Sequence, residues 1–121
     1  MANSKISGVY IITNTLNGMK YIGQSIDISR RWADHRRDAT NKKKKSPLYW
    51  DMRVYGINNF RFEIIEVCSK PFLDIREIYW IKVFNTYRGL GYNRGPGGKI
   101  PSDKFLAAGK RKRKRKKKTK K

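Results

Sequence analysis

The last twelve residues, Lys110 to Lys121, are all lysine or arginine apart from Thr119. Like charges at that density repel one another and offer no apolar face, so this run cannot enter a packed core and is expected to be a disordered tail. Whatever folds must come before it. The cluster Gly95-Pro96-Gly97-Gly98 interrupts any regular element and marks the break. The expected organisation is a domain over residues 1–95, then a Gly/Pro linker and basic tail over 96–121. Thirteen of the thirty basic residues and one of the nine acids follow Gly98, which leaves seventeen bases and eight acids before it. The folding part is therefore basic in its own right. A net charge of +21 on 121 residues calls for a polyanionic partner, nucleic acid first of all. Yet 38% hydrophobic and 12% aromatic residues exceed what a disordered polycation carries, so a core coexists with the charge.

The longest uncharged apolar stretch, Gly8 to Ile12, is far short of the roughly 20 residues a membrane-spanning helix needs. The start Met-Ala-Asn-Ser-Lys has no apolar stretch fit for a secretory signal. The expectation is a soluble intracellular protein with no membrane partner, a monomer by default, nuclear in a eukaryotic host and otherwise in the cytoplasm or nucleoid. A single cysteine, Cys68, makes neither an internal disulfide nor a thiolate metal cluster and reads as a small buried or half-buried apolar filler.

Gly8 to Thr13 and Met19 to Gly23 are β-branched and aromatic runs flanking Asn14-Thr15-Leu16-Asn17-Gly18, the pattern of a β-hairpin with Asn-Gly turn chemistry. Asp27 is placed to cap a helix over about 28–39, after which Asn41 to Lys45 forms an exposed basic loop. Pro47 to Tyr55 reads as a short helix with proline in its first turn and Gly56 as its stop. Phe60 to Val67 has strand character, and Phe72 to Phe84 carries apolar residues at helical intervals, with Asn85 as terminator. The order is β-β-α-α-β-α: an α+β fold with a small three-stranded antiparallel sheet flanked by helices.

Tyr10 and Tyr21 lie on the two arms of the hairpin, and Arg31 and His35, four apart, share one face of the following helix. Singly, each has an ordinary structural explanation. Together, Gly8-Val9-Tyr10, Tyr21-Ile22-Gly23 after ten intervening residues, Arg31 and His35 resemble the nuclease domain of the GIY-YIG family. Glu77 within Arg76-Glu77-Ile78-Tyr79-Trp80-Ile81-Lys82, and Gly91-Tyr92-Asn93, extend the resemblance over about residues 7–95. The Asn-Thr-Leu-Asn turn and the Trp-Ile-Lys after the glutamate are shared with the nuclease domains of phage homing endonucleases. Val9 stands for the usual isoleucine, a conservative change on a strand.

The resemblance implies a metal-dependent DNA endonuclease, homing-type or selective for a DNA shape. Tyr10 is then the general base and Glu77 the ligand of one Mg²⁺ or Mn²⁺. Phosphodiester hydrolysis needs a deprotonated water, cation density at the phosphate and help for the departing 3′ oxygen. A phenol of pKa about 10 is a poor base at neutral pH, so basic surroundings are expected to favour the phenolate, with His35 relaying the proton. Arg31 suits a phosphate through its planar fork, and Tyr21 positions a phosphate oxygen or the water. One carboxylate matches the loose way magnesium is held. Asn93 divides between a catalytic role and plain turn chemistry. Glu63 and Glu66 read as polar-face residues. Candidate DNA contacts are Arg30, Lys42, Lys43, Lys44 and Lys45 in the domain and Lys110, Arg111, Lys112, Arg113, Lys114 and Arg115 in the tail. The alternative is a non-catalytic basic nucleic-acid-binding protein. Such a binder has no use for an acid among its bases, because a carboxylate repels phosphate unless a cation sits between them.

Overall fold

The computed structural model describes residues 5–98. Three strands, β1 (Gly8–Asn14), β2 (Lys20–Ser25) and β3 (Phe60–Val67), form one antiparallel sheet in the order β2-β1-β3. The central strand β1 is buried along its whole length, which is why its sequence is continuously apolar rather than alternating. Tyr10 and Ile12 point to one face, where they pack with helices α1 (Ile28–Ala39) and α2 (Pro47–Tyr55). Val9 and Ile11 point to the other and meet Ile22 and Ile81 of helix α3 (Leu73–Phe84). Each fully buried Val, Ile or Met side chain contributes roughly 1.5 to 3 kcal/mol, so a sheet of three strands suffices as a platform once both faces are covered. The architecture is the expected α+β arrangement, in the expected order.

Local chemistry sets the boundaries. The hairpin closes with Asn14 N–H donating to the Met19 carbonyl at 2.9 Å, and the four-residue loop between them ends on Gly18 in the left-handed region, φ +80°. The second strand runs from Lys20 to Ser25, two residues beyond the expected end at Gly23, because Gln24 and Ser25 still pair with Val9 and Gly8. Pairing with a central strand thus overrides the polar character of those two residues. Asp27 caps α1 by accepting from the Arg30 N–H, and Ser46 caps α2 by accepting from the Tyr49 N–H, each at 3.3 Å. Gly56 at φ +93° ends α2 and Asn85 at φ +54° ends α3. Phe72 belongs to a 3₁₀ turn, Lys70–Phe72, so α3 begins one residue later than its apolar spacing predicts.

Glu66 is more than a polar-face residue. Its Oε1 accepts from Arg76 Nε at 2.7 Å and from Trp80 Nε1 at 2.8 Å, which clamps α3 to the edge strand β3. Those bonds, Trp80 first, hold its carboxyl below the usual carboxylate range. Glu63 pairs with Arg61 on the exposed side of the same strand, and Cys68 is half-buried as expected. Among the described residues no helix is long and apolar enough to cross a membrane.

Candidate active site

The inward stripe of α1 carries Ile28, Arg31, Trp32, His35 and Ala39 at helical spacing, and this is what delivers Arg31 and His35 to the Tyr10 face of the sheet. Tyr10 is 1% exposed, and its hydroxyl lies 2.7 Å from His35 Nε2. A Cβ on Gly23, the residue paired with Tyr10 across the hairpin, would run into the Tyr10 ring, so the glycine makes room for the phenol. His35, itself 1% exposed, is held on its other nitrogen by Tyr49 of α2, whose hydroxyl is 2.8 Å from Nδ1. Two phenols thus bracket the imidazole.

Burial dominates the titration of this group. It pushes the His35 pKa down to about 4, with the nearby Arg31 charge adding to the effect, so the ring is neutral at physiological pH. It also raises the Tyr10 phenol, Tyr21 adding to the rise and Arg31 opposing it. The expectation that basic surroundings favour the phenolate therefore fails in the domain by itself. One guanidinium does not offset the desolvation of a buried phenolate. Burial weighs against Arg31 as well, but Tyr10, Tyr49 and Tyr21 around it outweigh that and raise its pKa.

Tyr21 sits on the same sheet face as Tyr10, on β2. Among the described residues the outer edge of β2 has no strand beyond it, and Asn93 completes it: the side-chain oxygen accepts from Ile22 N–H at 2.8 Å and the side-chain nitrogen donates to the Ile22 carbonyl at 2.9 Å. The carboxamide acts as a surrogate peptide bond. Thr86 Oγ1 donates to the same oxygen at 2.7 Å, and Tyr92 N–H donates to the Lys20 carbonyl at 2.8 Å. Asn93 is thus brought to the site, but its amide is committed to holding β2 beside Tyr21.

Around this edge run two clefts that meet at Tyr21 and Arg31. The first, of about 300 Å³, is lined by Tyr21, Arg31, His35, Tyr49, Asn93 and Arg94 among others. The second, of about 410 Å³, is lined by Tyr21, Gln24, Arg31, Asp74, Glu77 and Gly98. Asp74 and Glu77 are one turn apart on α3, and Gln24 Nε2 donates to both, at 2.6 and 3.1 Å. Gly98 N–H donates to the same Glu77 Oε1 at 2.8 Å. Four expected residues, Tyr21, Arg31, His35 and Glu77, therefore line the two joined clefts, and the fifth, Tyr10, lies buried behind them against His35.

Arg30 is exposed on the outside of α1 and lines neither cleft. Lys42, Lys43, Lys44 and Lys45 are exposed on the loop between α1 and α2, whose backbone is pinned by the Arg53 guanidinium through the carbonyls of Ala39, Asn41 and Lys44. Lys110, Arg111, Lys112, Arg113, Lys114 and Arg115 lie outside the described residues. Sequence reasoning did not single out Tyr49, Gln24, Asp74 or Arg94. Asp74 was within reach of it, lying three residues before Glu77 on the same helix face. Tyr49 was hidden between a buried Leu48 and an exposed Trp50 on a short helix with a weak apolar pattern.

Comparison with known proteins decides the family. The family model for the GIY-YIG catalytic domain matches residues 6–93. The chain belongs to the GIY-YIG family. It carries an endonuclease domain of that type, and the residues on which the resemblance was based lie on the groove or, for Tyr10, directly behind it. The chain is 36% identical over 90 residues to intron-associated endonuclease 1 of Enterobacteria phage T4, a match covering 72% of this chain but only 36% of that protein. The chain thus spans about a third of that relative's length. Two solved structures are similar: a mutant of the catalytic domain of intron endonuclease I-TevI, with a TM-score of 0.68 and 33% identity, and the catalytic domain of homing endonuclease I-TevI, with 0.66 and 34%. The matches cover 76% and 74% of this chain and 96% and 98% of those domains. The agreement thus extends over the whole of the solved domain.

Proposed function

We propose that this protein cleaves DNA by metal-dependent hydrolysis of phosphodiester bonds, with Tyr10 as general base and Glu77 holding one divalent cation, Mg²⁺ or Mn²⁺. The observation that carries the reading is the placement of Glu77, with Asp74 one turn away, across the groove from Arg31 and Tyr21. A surface that only binds polyanions gains nothing from two carboxylates among its bases. The donor set fits a hard cation: the ligands on offer are carboxylate oxygens, and the hydrogen bonds that hold Glu77 all fall on Oε1. Among the described residues no three acids, histidines or cysteines group together, which suits an ion that keeps most of its waters and takes phosphate oxygens as ligands. Once bound, such an ion supplies Lewis-acid stabilisation of phosphate charge.

The chain's own residues do the remaining work. Arg31, reaching both clefts, donates its fork to non-bridging oxygens as their charge reorganises. Tyr21 positions the phosphate or the water, and Asn93 keeps the strand under Tyr21 in register. Tyr10, a neutral phenol, accepts a proton from the attacking water only as it passes its own to His35, which is neutral and able to accept it. The basic loop and tail contact phosphates without specifying sequence. Supercoiled plasmid incubated with and without Mg²⁺ is the direct test: nicked or linear product in Mg²⁺ and none in EDTA is expected. Undiminished cleavage in EDTA overturns the metal role, and no cleavage under any divalent ion favours the non-catalytic binder.

A further inference from the structure

Tyr10 and His35 are each 1% exposed, and although the His35 ring borders the first cleft, both of its nitrogens face a phenol, so a proton delivered to the pair leaves through a phenol. His35 Nε2 faces Tyr10 at 2.7 Å and Nδ1 faces Tyr49 at 2.8 Å. A neutral imidazole carries a proton on one nitrogen only, and hydrogen bonding fixes which. The Tyr10 hydroxyl proton is directed at Nε2, the acceptor 2.7 Å away, because the Arg31 guanidinium beside the same hydroxyl can only donate. A protonated Nε2 would leave that hydroxyl without an acceptor in the interior, where an unmade hydrogen bond is costly. Nε2 is therefore bare and Nδ1 carries the hydrogen, donating it to Tyr49. Tyr49 is half-buried and lines the 300 Å³ cleft, so its own hydroxyl proton can reach water.

Resting on the reading of Tyr10 as base, we propose that Tyr49 is the exit of a three-residue proton relay, Tyr10 to His35 to Tyr49, that carries the proton of the attacking water to solvent. The protons balance. As the water oxygen bonds phosphorus, one water proton passes to Tyr10 Oη, while the 3′ oxygen leaves with the electron pair of the broken bond and takes a proton from solvent. The Tyr10 proton passes to Nε2, the Nδ1 proton to Tyr49 Oη, and the Tyr49 proton to bulk water. No charge is left in the interior, which is why the high cost of a buried phenolate or imidazolium does not block the step. Tyr49 touches neither phosphate nor nucleophile in this scheme. It is a positioning residue acting through His35.

Two measurements test it. His35 is the one histidine in the chain, so nitrogen NMR of the wild-type protein reads its tautomer without assignment. The expected result is hydrogen on Nδ1 and a bare Nε2; hydrogen on Nε2 overturns the relay. Then single-turnover plasmid cleavage in Mg²⁺ is compared for wild type, Tyr49→Phe and Tyr10→Phe. Tyr49→Phe is expected to slow cleavage about tenfold to a hundredfold, less than a full general-base loss, with plasmid affinity unchanged. In Tyr49→Ala, where the ring packed on His35 is gone, added imidazole at fixed pH and ionic strength should restore much of the lost rate, because a small base can then take the Nδ1 proton. Wild-type rate in Tyr49→Phe, or a slowed Tyr49→Ala that imidazole does not lift, overturns the relay while Tyr10→Phe stays inactive. Wild-type rate in Tyr10→Phe overturns the base assignment itself, and the relay with it.

Discussion

The two faces of the sheet carry two different kinds of site. On the α1/α2 face, Tyr10 and His35 are 1% exposed and joined to Tyr49 by hydrogen bonds of 2.7 and 2.8 Å. On the α3 face, Asp74 and Glu77 are half-buried, border an open cleft of about 410 Å³, and are held by one glutamine amide and one backbone N–H. The first half holds its phenols and imidazole in a place where charge is costly, which suits the proton transfer proposed for it. The second half collects negative charge where solvent still reaches it, an arrangement that suits a partly hydrated cation. Tyr21 and Arg31, on the groove shared by both, are the residues through which a phosphate can feel the two at once.

This contrast can be broken from either side. The largest effect is expected on the α3 face: Glu77→Ala should lower plasmid cleavage in Mg²⁺ by about a thousandfold, with DNA affinity unchanged or slightly higher because a repulsive carboxylate is gone. Near-normal cleavage by that variant would show that the ion is held elsewhere. The buried face should answer to pH instead. With the folded pKa near 4 and an unfolded value of about 6.5, the unfolded chain binds a proton at His35 that the native one refuses. Stability therefore falls as pH drops from about 6.5 towards 4, by on the order of 2 to 3 kcal/mol from this residue. The charged and titratable groups that set this are Arg31, Asp34 and Asp38 on α1, with Tyr10, Tyr21 and Tyr49 packed against the ring. Urea unfolding of wild type and His35→Gln should show a stability gap at pH 7 that narrows by that amount near pH 4. A gap that stays constant would mean the ring is not held neutral in the native state. The smallest change is expected at the seam between the faces, where Asn93→Asp replaces the donor to the Ile22 carbonyl with an acceptor. A loss of about 1 to 3 kcal/mol in the same urea assay is expected, and unchanged stability would return Asn93 to the list of residues acting directly on substrate.

Much of this architecture was legible in the chain. Asp27, Pro47, Gly56 and Asn85 delimit helices because capping and left-handed backbone are local chemistry, and the apolar runs of β1 and β3 read as strands for the same reason. The site residues Tyr10, Tyr21, Arg31, His35 and Glu77 were recoverable from their spacing, although only the resemblance gave that spacing meaning. Gln24 and Asp74 escaped notice because a glutamine after a strand motif and an aspartate in a first helical turn are ordinary until they share a hydrogen-bond partner.

Local physics, then, settled which of the described segments are helix or strand, and which side chains are able to handle protons, phosphate or a hard cation. What depended on the folded chain is how those side chains meet. The pairing of Tyr10 with Gly23, the carboxamide of Asn93 on the β2 edge, and Tyr49 at Nδ1 of His35 all join positions far apart in sequence. The titration of the site is settled there too. The sequence places bases around Tyr10 and so argues for a lowered phenol pKa, whereas burial between β1 and α1 raises it. Desolvation is a property of everything packed around a group, and no local pattern of charges reports it.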